Sequence, residues 1–171
     1  MTAGVRAVTL LAVVGAVGLS ACGYTVRGTL PSHIKTISVP IFANRTQQPG
    51  VEGFITRAIV EAFSTNGRLR LAPSDKADAI LEGEITQYSV AAIAFDQSAN
   101  ISVYRLVVSL NLKLRDVREK KLLFAEDNVR EQADFRVEGA VSATISREQD
   151  ALSAAAVEIG RSVVSLTVQR F

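Results

Sequence analysis

The stretch VYRLVVSLNLKLR, residues 103–115, has an apolar side chain at every second position from Tyr104 to Leu114, with mostly polar side chains between them. Because successive side chains of a strand point to opposite faces, this period of two predicts a β-strand. One face should be buried and the other solvated, as in antiparallel sheets. The apolar positions are Tyr104, Leu106, Val108, Leu110, Leu112 and Leu114, and the polar positions opposite them are Arg105, Ser109, Asn111, Lys113 and Arg115.

A strand and a helix are predicted upstream of this stretch. Thr36–Phe42 also alternates, and Pro40 within it cannot donate to a ladder, so the strand lies at an edge or bulges at the proline. Val51–Thr65 has apolar residues at three- and four-residue spacing, which predicts a helix that ends at Asn66-Gly67. Its predicted core stripe is Val51, Phe54, Ile55, Ala58, Ile59, Ala62 and Phe63.

The remaining elements follow a simple order. Arg68–Ala72 is a short extended piece, and Ala79–Ile93 is a longer strand. Lys121–Phe135 is a less regular strand in which we expect a bulge. After a loop over Arg136–Ile145, a capping box that begins at Ser146 predicts a last helix, Arg147–Val168.

These elements predict an α+β fold in the order β-α-β-β-β-α. The first strand–helix–strand unit should have parallel strands, and the three later strands should form an antiparallel meander. Each helix has a single apolar stripe, so both helices should pack on one face of a mixed four-stranded β-sheet. The other face, which includes Arg105, Asn111, Lys113 and Arg115, should stay polar and open to a partner.

The N-terminus has the pattern of a secretory signal. Arg6 precedes the apolar run Ala7–Leu19, and small residues come just before Cys22. The run is shorter than the roughly 18 apolar residues that a membrane span needs. A small-residue cleavage site followed by cysteine resembles the bacterial lipobox, in which the cysteine is acylated and becomes the mature N-terminus. Gly23 in place of the aspartate typical of inner-membrane lipoproteins implies an outer-membrane destination.

Composition limits the class of protein. Removal of residues 1–21 as a lipoprotein signal peptide leaves 150 of the 171 residues, and only Arg6 of the 19 basic residues is lost against 17 acidic ones. This near-neutral balance argues against nucleic-acid binding. Residues 22–35 are predicted to form a tether and residues 36–171 a single domain. Cys22 is the single cysteine, so no disulfide stabilises the fold.

Enzyme chemistry finds little support. A serine triad needs a histidine, and the single histidine, His33, lies in the tether, away from any nucleophile motif. Glu82 and Glu84 share a strand face and could imitate a carboxylate pair, but alternating charges on an exposed strand face are ordinary. We predict no catalytic residue, no metal site and no cofactor.

A series of short motifs after the signal resembles the LptE lipoproteins. No motif is specific alone, and the order and spacing from Cys22 to about Leu166 carry the resemblance. The motifs are Cys22-Gly23-Tyr24, Arg27-Gly28, Leu30-Pro31, Ile37–Phe42, Asn44, Thr46, Glu52, Ala77–Gly83 and Tyr104-Arg105-Leu106.

The resemblance implies an outer-membrane lipoprotein that plugs the LptD β-barrel, supports its assembly and helps to insert lipopolysaccharide into the outer leaflet. The family fold, two helices against a four-stranded sheet, agrees with the pattern above. The implied partners are an LptD-like barrel, lipopolysaccharide and, through the lipid anchor, the periplasmic side of the outer membrane. The alternative is a generic lipoprotein facing the periplasm that binds a small ligand or scaffolds the envelope.

The resemblance also directs attention to basic side chains, which could pair with the phosphates of lipopolysaccharide. The densest positive charge lies around the turn between the last two strands. The competing interpretation is a solvated turn whose charges protect strand ends. The candidate contact residues are Arg105, Lys113, Arg115, Arg118, Lys120, Lys121, Arg136 and Arg147.

Overall fold

The computed structural model describes residues 30–137 and 141–169. The predicted signal peptide and Cys22 lie outside the described residues, so cleavage and acylation stay predictions. The described elements, in chain order, are β1 (Thr36–Ser38), β2 (Ala43–Asn44), α1 (Val51–Asn66), β3 (Arg70–Leu71), β4 (Ala79–Phe95), β5 (Ile101–Asp116), β6 (Lys121–Arg136) and α2 (Val141–Gln169).

One mixed sheet organises the fold, with the strand order β3-β1-β4-β5-β6 and with β2 paired to β4. β1 runs parallel to both β3 and β4, and β2 also runs parallel to β4. β4, β5 and β6 form an antiparallel meander. The predicted parallel first unit and the meander are confirmed, but the sheet has six strands, so the prediction of four was wrong.

The extra strands have physical causes. The predicted strand Thr36–Phe42 ends early, at Ser38, before Pro40, which has no N–H to donate, and pairing resumes only at Ala43, beyond the predicted range. β1 and β2 follow the same edge of β4 on either side of this interruption. From Ser38 to Ala43 the chain advances five positions, whereas their partners Ile80 and Glu84 are four apart, so one residue bulges out.

β3 accounts for the remaining strand. Arg70-Leu71, within the extended piece predicted at Arg68–Ala72, pairs with Thr36-Ile37. β1 therefore lies between β3 and β4 rather than at the edge of the sheet. Periodicity could not reveal this, since two residues are too few to show alternation.

α1 begins and ends close to prediction. Gly67 has a φ of 70° and donates its N–H to the Phe63 carbonyl, which closes the last turn. Val51, Ile55, Ile59 and Phe63 are buried as expected. Phe54 is 43% exposed, so its predicted place in the core was wrong. It lies one turn before Ala58, where α1 meets α2.

α2 is longer than predicted. It starts at Val141, so Ser146 lies inside the helix and the predicted capping box and loop were wrong. Helix propensity is a weak prior, and the β-branched residues of its first turns did not prevent helix formation. Ala143–Val168 has the length and composition of a membrane span, but half of its most apolar window is buried in the protein, as in a core helix.

Both helices pack on one face of the sheet, as predicted. The core joins the apolar face of β5 to side chains of α1 and α2. The helices cross closely at Gly160, where an added Cβ would lie 2.8 Å from the Ala58 carbonyl oxygen. At Gly83 of β4, an added Cβ would lie 2.1 Å from the buried Phe42 ring, so only glycine fits beneath that ring.

Candidate functional site

The second face of β4–β6 carries polar side chains, because both described helices pack on the first. Ser109 at its centre is only 1% exposed, and its hydroxyl donates to Gln87 Oε1 at 3.3 Å. Asn111 Oδ1 accepts a hydrogen bond from the Asn128 amide at 2.9 Å. We call this surface the open face and define it as the outward side chains of β4–β6. Hydrogen bonds within the sheet therefore pair the polar groups at its centre.

Ion pairs cover much of the rest of the open face. Arg105 donates from Nε and Nη2 to the two carboxylate oxygens of Asp134, at 2.7 and 2.8 Å. The hydrogen bond from Arg105 holds the pKa of Asp134 below its ordinary value. Arg115 donates to Glu82 at 2.9 Å, and Arg45 donates to Glu84.

The eight predicted contact residues fall into three groups. Arg105, Lys113 and Arg115 lie on strand β5, and two of these three are already paired with carboxylates. Arg118, Lys120 and Lys121 lie exposed in and beside the β5–β6 turn. The structure brings Arg136 and Arg147 together, since both line a cavity of about 390 Å³ beside β6 and α2. Asp134 and Asp150 line the same cavity, so its charge is mixed.

His33, the histidine considered above for enzyme chemistry, binds the N-terminal segment to the end of β5, next to the β5–β6 turn. Its Nε2 donates to Asp116 Oδ2 at 2.6 Å, and Asp116 Oδ1 accepts from the Glu119 amide at 2.9 Å. Burial acts to raise the pKa of Asp116, but these hydrogen bonds outweigh it and hold the pKa below its ordinary value. The pair thus fixes the N-terminal segment to the end of β5.

The side chains of His33, Asp116 and Glu119 could offer ligands to a metal ion, since their ligand atoms lie within 4.8 Å of one another. Both carboxylate oxygens of Asp116, however, already accept hydrogen bonds, and Glu119 is exposed. Spacing along the sequence gave no sign of this cluster, because His33 and Asp116 are 83 residues apart.

The motif residue Asp78 has a structural role that sequence reasoning missed. Its Oδ2 accepts hydrogen bonds from the amides of Lys35 and Thr36 and from the Thr36 hydroxyl, at 2.8–2.9 Å. The Lys35 amide and the Thr36 hydroxyl are the main reasons why the pKa of Asp78 is lowered. The carboxylate therefore joins the starts of β1 and β4.

A second group of motif residues orders the loop between β2 and α1. Asn44 Oδ1 accepts from the amide and hydroxyl of Thr46, at 2.9 and 2.7 Å. Its Nδ2 donates to the Gln48 carbonyl and to Glu52 Oε2, both at 2.8 Å. Asn44, Thr46 and Glu52, which carried part of the resemblance, thus form one hydrogen-bonded network.

Comparison with known families decides the assignment. The model of the LptE family, described as lipopolysaccharide-assembly, matches residues 34–166. The chain belongs to the LptE family. The match covers both motif networks, the sheet and nearly all of α2, and it places the chain among the lipopolysaccharide-assembly lipoproteins of the Gram-negative envelope. No curated protein sequence matches the chain.

Solved structures share the fold at low sequence identity. A minor lipoprotein from Acinetobacter baumannii has a TM-score of 0.53 and 9% identity, over 81% of this chain and 92% of that one. An uncharacterized lipoprotein B from Nitrosomonas europaea has a TM-score of 0.51 and 18% identity, over 85% and 92%. PelC from Paraburkholderia phytofirmans, a dodecamer, has a TM-score of 0.51 and 17% identity, over 81% and 91%. Because one of these folds builds a dodecamer, the fold alone does not define the partner.

Proposed function

We propose that this LptE-family chain plugs an LptD-like outer-membrane β-barrel, supports the assembly of that barrel and helps to insert lipopolysaccharide into the outer leaflet. Its mature N-terminus is the acylated Cys22, which ties the domain to the periplasmic side of the outer membrane. The role is non-covalent, so recognition depends on shape, hydrogen bonds and charge.

The observation that carries the proposal, beside family membership, is the open face. Three long strands, β4, β5 and β6, present polar side chains there, while both described helices pack on the other side. A rigid surface of satisfied polar groups needs little reorganisation on binding, so little ordering entropy is lost when a barrel wall covers it. Complementary charge on the wall would then fix the orientation of the plug.

Basic side chains at the margins of this face are the proposed contacts for lipopolysaccharide phosphates. Lys113 is exposed on the open face. Arg136 and Arg147 line the cavity beside β6 and α2. Arg105 binds Asp134 in a bidentate geometry that also suits a phosphate. A phosphate at Arg105 must therefore compete with Asp134, which makes Arg105 a weaker site than Lys113.

Purification of the lipoprotein from detergent-solubilised outer membranes tests the proposal. We expect a large barrel protein to copurify with the wild-type chain. Lys113→Asp on the open face should lower the recovery of the barrel, whereas Arg57→Asp on the exposed side of α1 makes the same charge change and should not. Recovery of the folded chain without any barrel would contradict the proposal.

Depletion separates this role from the alternative of a generic scaffold or ligand-binding lipoprotein. If the chain supports barrel assembly, its depletion should reduce both the folded barrel and lipopolysaccharide at the cell surface. Normal surface lipopolysaccharide after depletion would favour the alternative.

A further inference from the structure

We infer that one end of the sheet is a membrane-facing surface that contacts the headgroups of anionic phospholipids. We call it the basic end and define it by five exposed residues: Lys35, Arg70, Arg118, Lys120 and Lys121. The inference rests on the lipid anchor proposed at Cys22. It goes beyond the barrel and lipopolysaccharide roles, because it assigns part of the predicted positive charge to the membrane itself.

Backbone pairing places these residues in one row across the sheet. The Arg70 amide donates to the Lys35 carbonyl at 3.0 Å, where β3 meets β1. Farther along the row, the Val117 amide donates to the Asp78 carbonyl at 2.9 Å, and Asp116 pairs with Lys121. The β5–β6 turn, with Arg118 and Lys120, therefore lies at the same end as the starts of β1 and β3.

The positive charge of this end is not neutralised within the described part of the protein. None of the five residues forms an ion pair with another described residue, in contrast to Arg105 and Arg115 on the open face and to Arg45, which pairs with Glu84 of that face. Two nearby acids, Asp78 and Asp116, use their carboxylates for internal hydrogen bonds. Glu119 is the exposed acid within the turn.

The position of the N-terminal segment selects a membrane as the occupant. His33 is bound to Asp116, directly before the β5–β6 turn, so the chain enters the domain at the basic end. Leu30 packs against the core, and it follows Cys22 by eight positions along the chain. Eight residues span at most about 28 Å when fully extended. Acyl chains on Cys22 therefore hold the basic end near the headgroups, where several basic side chains are attracted to anionic lipids.

Energy transfer to lipid headgroups tests this orientation. Cys22 is the single native cysteine and is acylated in the proposal, so Val117→Cys at the basic end and Ser98→Cys in the opposite β4–β5 turn each provide one site for a donor dye. The labelled lipoprotein is incorporated into vesicles that contain a headgroup-labelled acceptor. One set contains phosphatidylethanolamine and phosphatidylglycerol, and the other contains phosphatidylcholine alone.

We expect stronger transfer from position 117 than from position 98 in the anionic vesicles, and a much smaller difference in phosphatidylcholine. Raising the salt from 0.1 to 1 M should reduce the difference to the value seen in phosphatidylcholine, because the screening length falls from about 10 to 3 Å and only the anchor then orients the protein. The preference for this orientation, measured as the excess of transfer from position 117 over position 98 in anionic vesicles, should fall about tenfold or more in the double variant Arg118→Glu/Lys121→Glu. The matched pair Arg57→Glu/Arg130→Glu, which lies away from this end, should leave it intact.

Each contrary outcome has a distinct meaning. Acylated protein that orients equally in both lipid compositions would overturn the contact with anionic headgroups and leave the barrel role untouched, since the vesicles contain no barrel. Loss of the preference on addition of inorganic phosphate at constant ionic strength would also overturn it, in favour of a site for free anions. Absence of acyl groups from Cys22 would overturn this inference together with the proposed anchor.

Discussion

Leu110 and Ser109 are neighbours on β5 and are both almost fully buried, yet their surroundings differ. Leu110 is covered by the helix layer, in a core built from apolar side chains. Ser109 belongs to the open face, away from the helix layer, and its hydroxyl donates to the neighbouring Gln87 side chain of β4. Low exposure therefore has two origins here, and only the first excludes a further partner. The predictions below test this difference between the two faces.

The largest effect is expected from a charge on the helix-covered face. Leu110→Asp should destabilise the domain by about 4 kcal/mol or more, because it puts an unpaired carboxylate into an apolar core. Lys113→Asp, three residues away on the open face, should cost about 1 kcal/mol or less, since its side chain is exposed. Urea unfolding followed by circular dichroism measures both. Equal stabilities would show that the two faces have been assigned wrongly.

A smaller effect is expected where β4 passes beneath Phe42. Gly83→Ala should cost about 1–3 kcal/mol, because the new methyl group would overlap the buried ring. Gly53→Ala in α1 is the matched control, and it should be neutral or stabilising by up to about 1 kcal/mol, since its Cβ would meet no atom within 4 Å. Combining Gly83→Ala with Phe42→Leu should recover part of the loss. No recovery would mean that the ring is not the obstacle.

Asp78 provides a test that depends on pH. Its pKa is lowered in the folded state by the Lys35 amide and the Thr36 hydroxyl, so the ionised form stabilises the fold. That stabilisation, about 1–2 kcal/mol, is complete above the ordinary carboxyl pKa of about 4 and is lost as the pH falls through the lowered folded value. Asp78→Asn should therefore be less stable than wild type at pH 7 and approach it in acid. A difference that grows in acid would contradict this role.

The smallest effect is expected on the open face. The double-mutant cycle of Arg105→Ala and Asp134→Ala should give only a small coupling free energy at low salt, because both side chains are well exposed, at 38% and 44%, and solvent screens their attraction. The coupling should decrease further in 1 M salt. A coupling as large as the loss expected for Leu110→Asp would show that this pair is a structural element comparable to the core.

Strong hydrophobic periodicity in the sequence predicted most of the fold. The alternation of residues 103–115 correctly assigned Leu106, Val108, Leu110, Leu112 and Leu114 to the core. The helical spacing in α1 also correctly predicted that Val51, Ile55, Ile59 and Phe63 are buried. Both patterns come from burial against a layer, so they remain visible without the structure.

Features that depend on distant contacts escaped prediction. At Thr86 the pairing of β4 shifts by one residue, so the core-facing positions change from Leu81 and Ile85 to Tyr88, which donates to Glu148 at 2.6 Å. The sequence contains no marker for this shift. The start of α2 was likewise missed, because local capping chemistry at Ser146 suggested a boundary that tertiary packing overrides.

The candidate contact residues were found by type, but their pairing was not. Sequence identifies Arg105 and Arg115 as basic residues on a solvated face. It does not show that Asp134 and Glu82 lie within hydrogen-bonding distance, since these contacts span 29 and 33 residues. The distinction between paired and unpaired cations, on which the basic end depends, therefore required the register of the strands.

The strand order has a consequence for how the domain assembles. β4, β5 and β6 are joined by short turns, so the meander can form from neighbouring segments, whereas β1 must find β4 some forty residues along the chain. Contacts between such distant segments tend to form late in folding. Leu81 and Ile85 belong to the same core cluster as side chains of β1 and α1, so they would stay partly uncovered if β1 and α1 dock late. The folding chain would therefore be most prone to aggregation during that interval, and a chaperone would protect it best by binding those two positions.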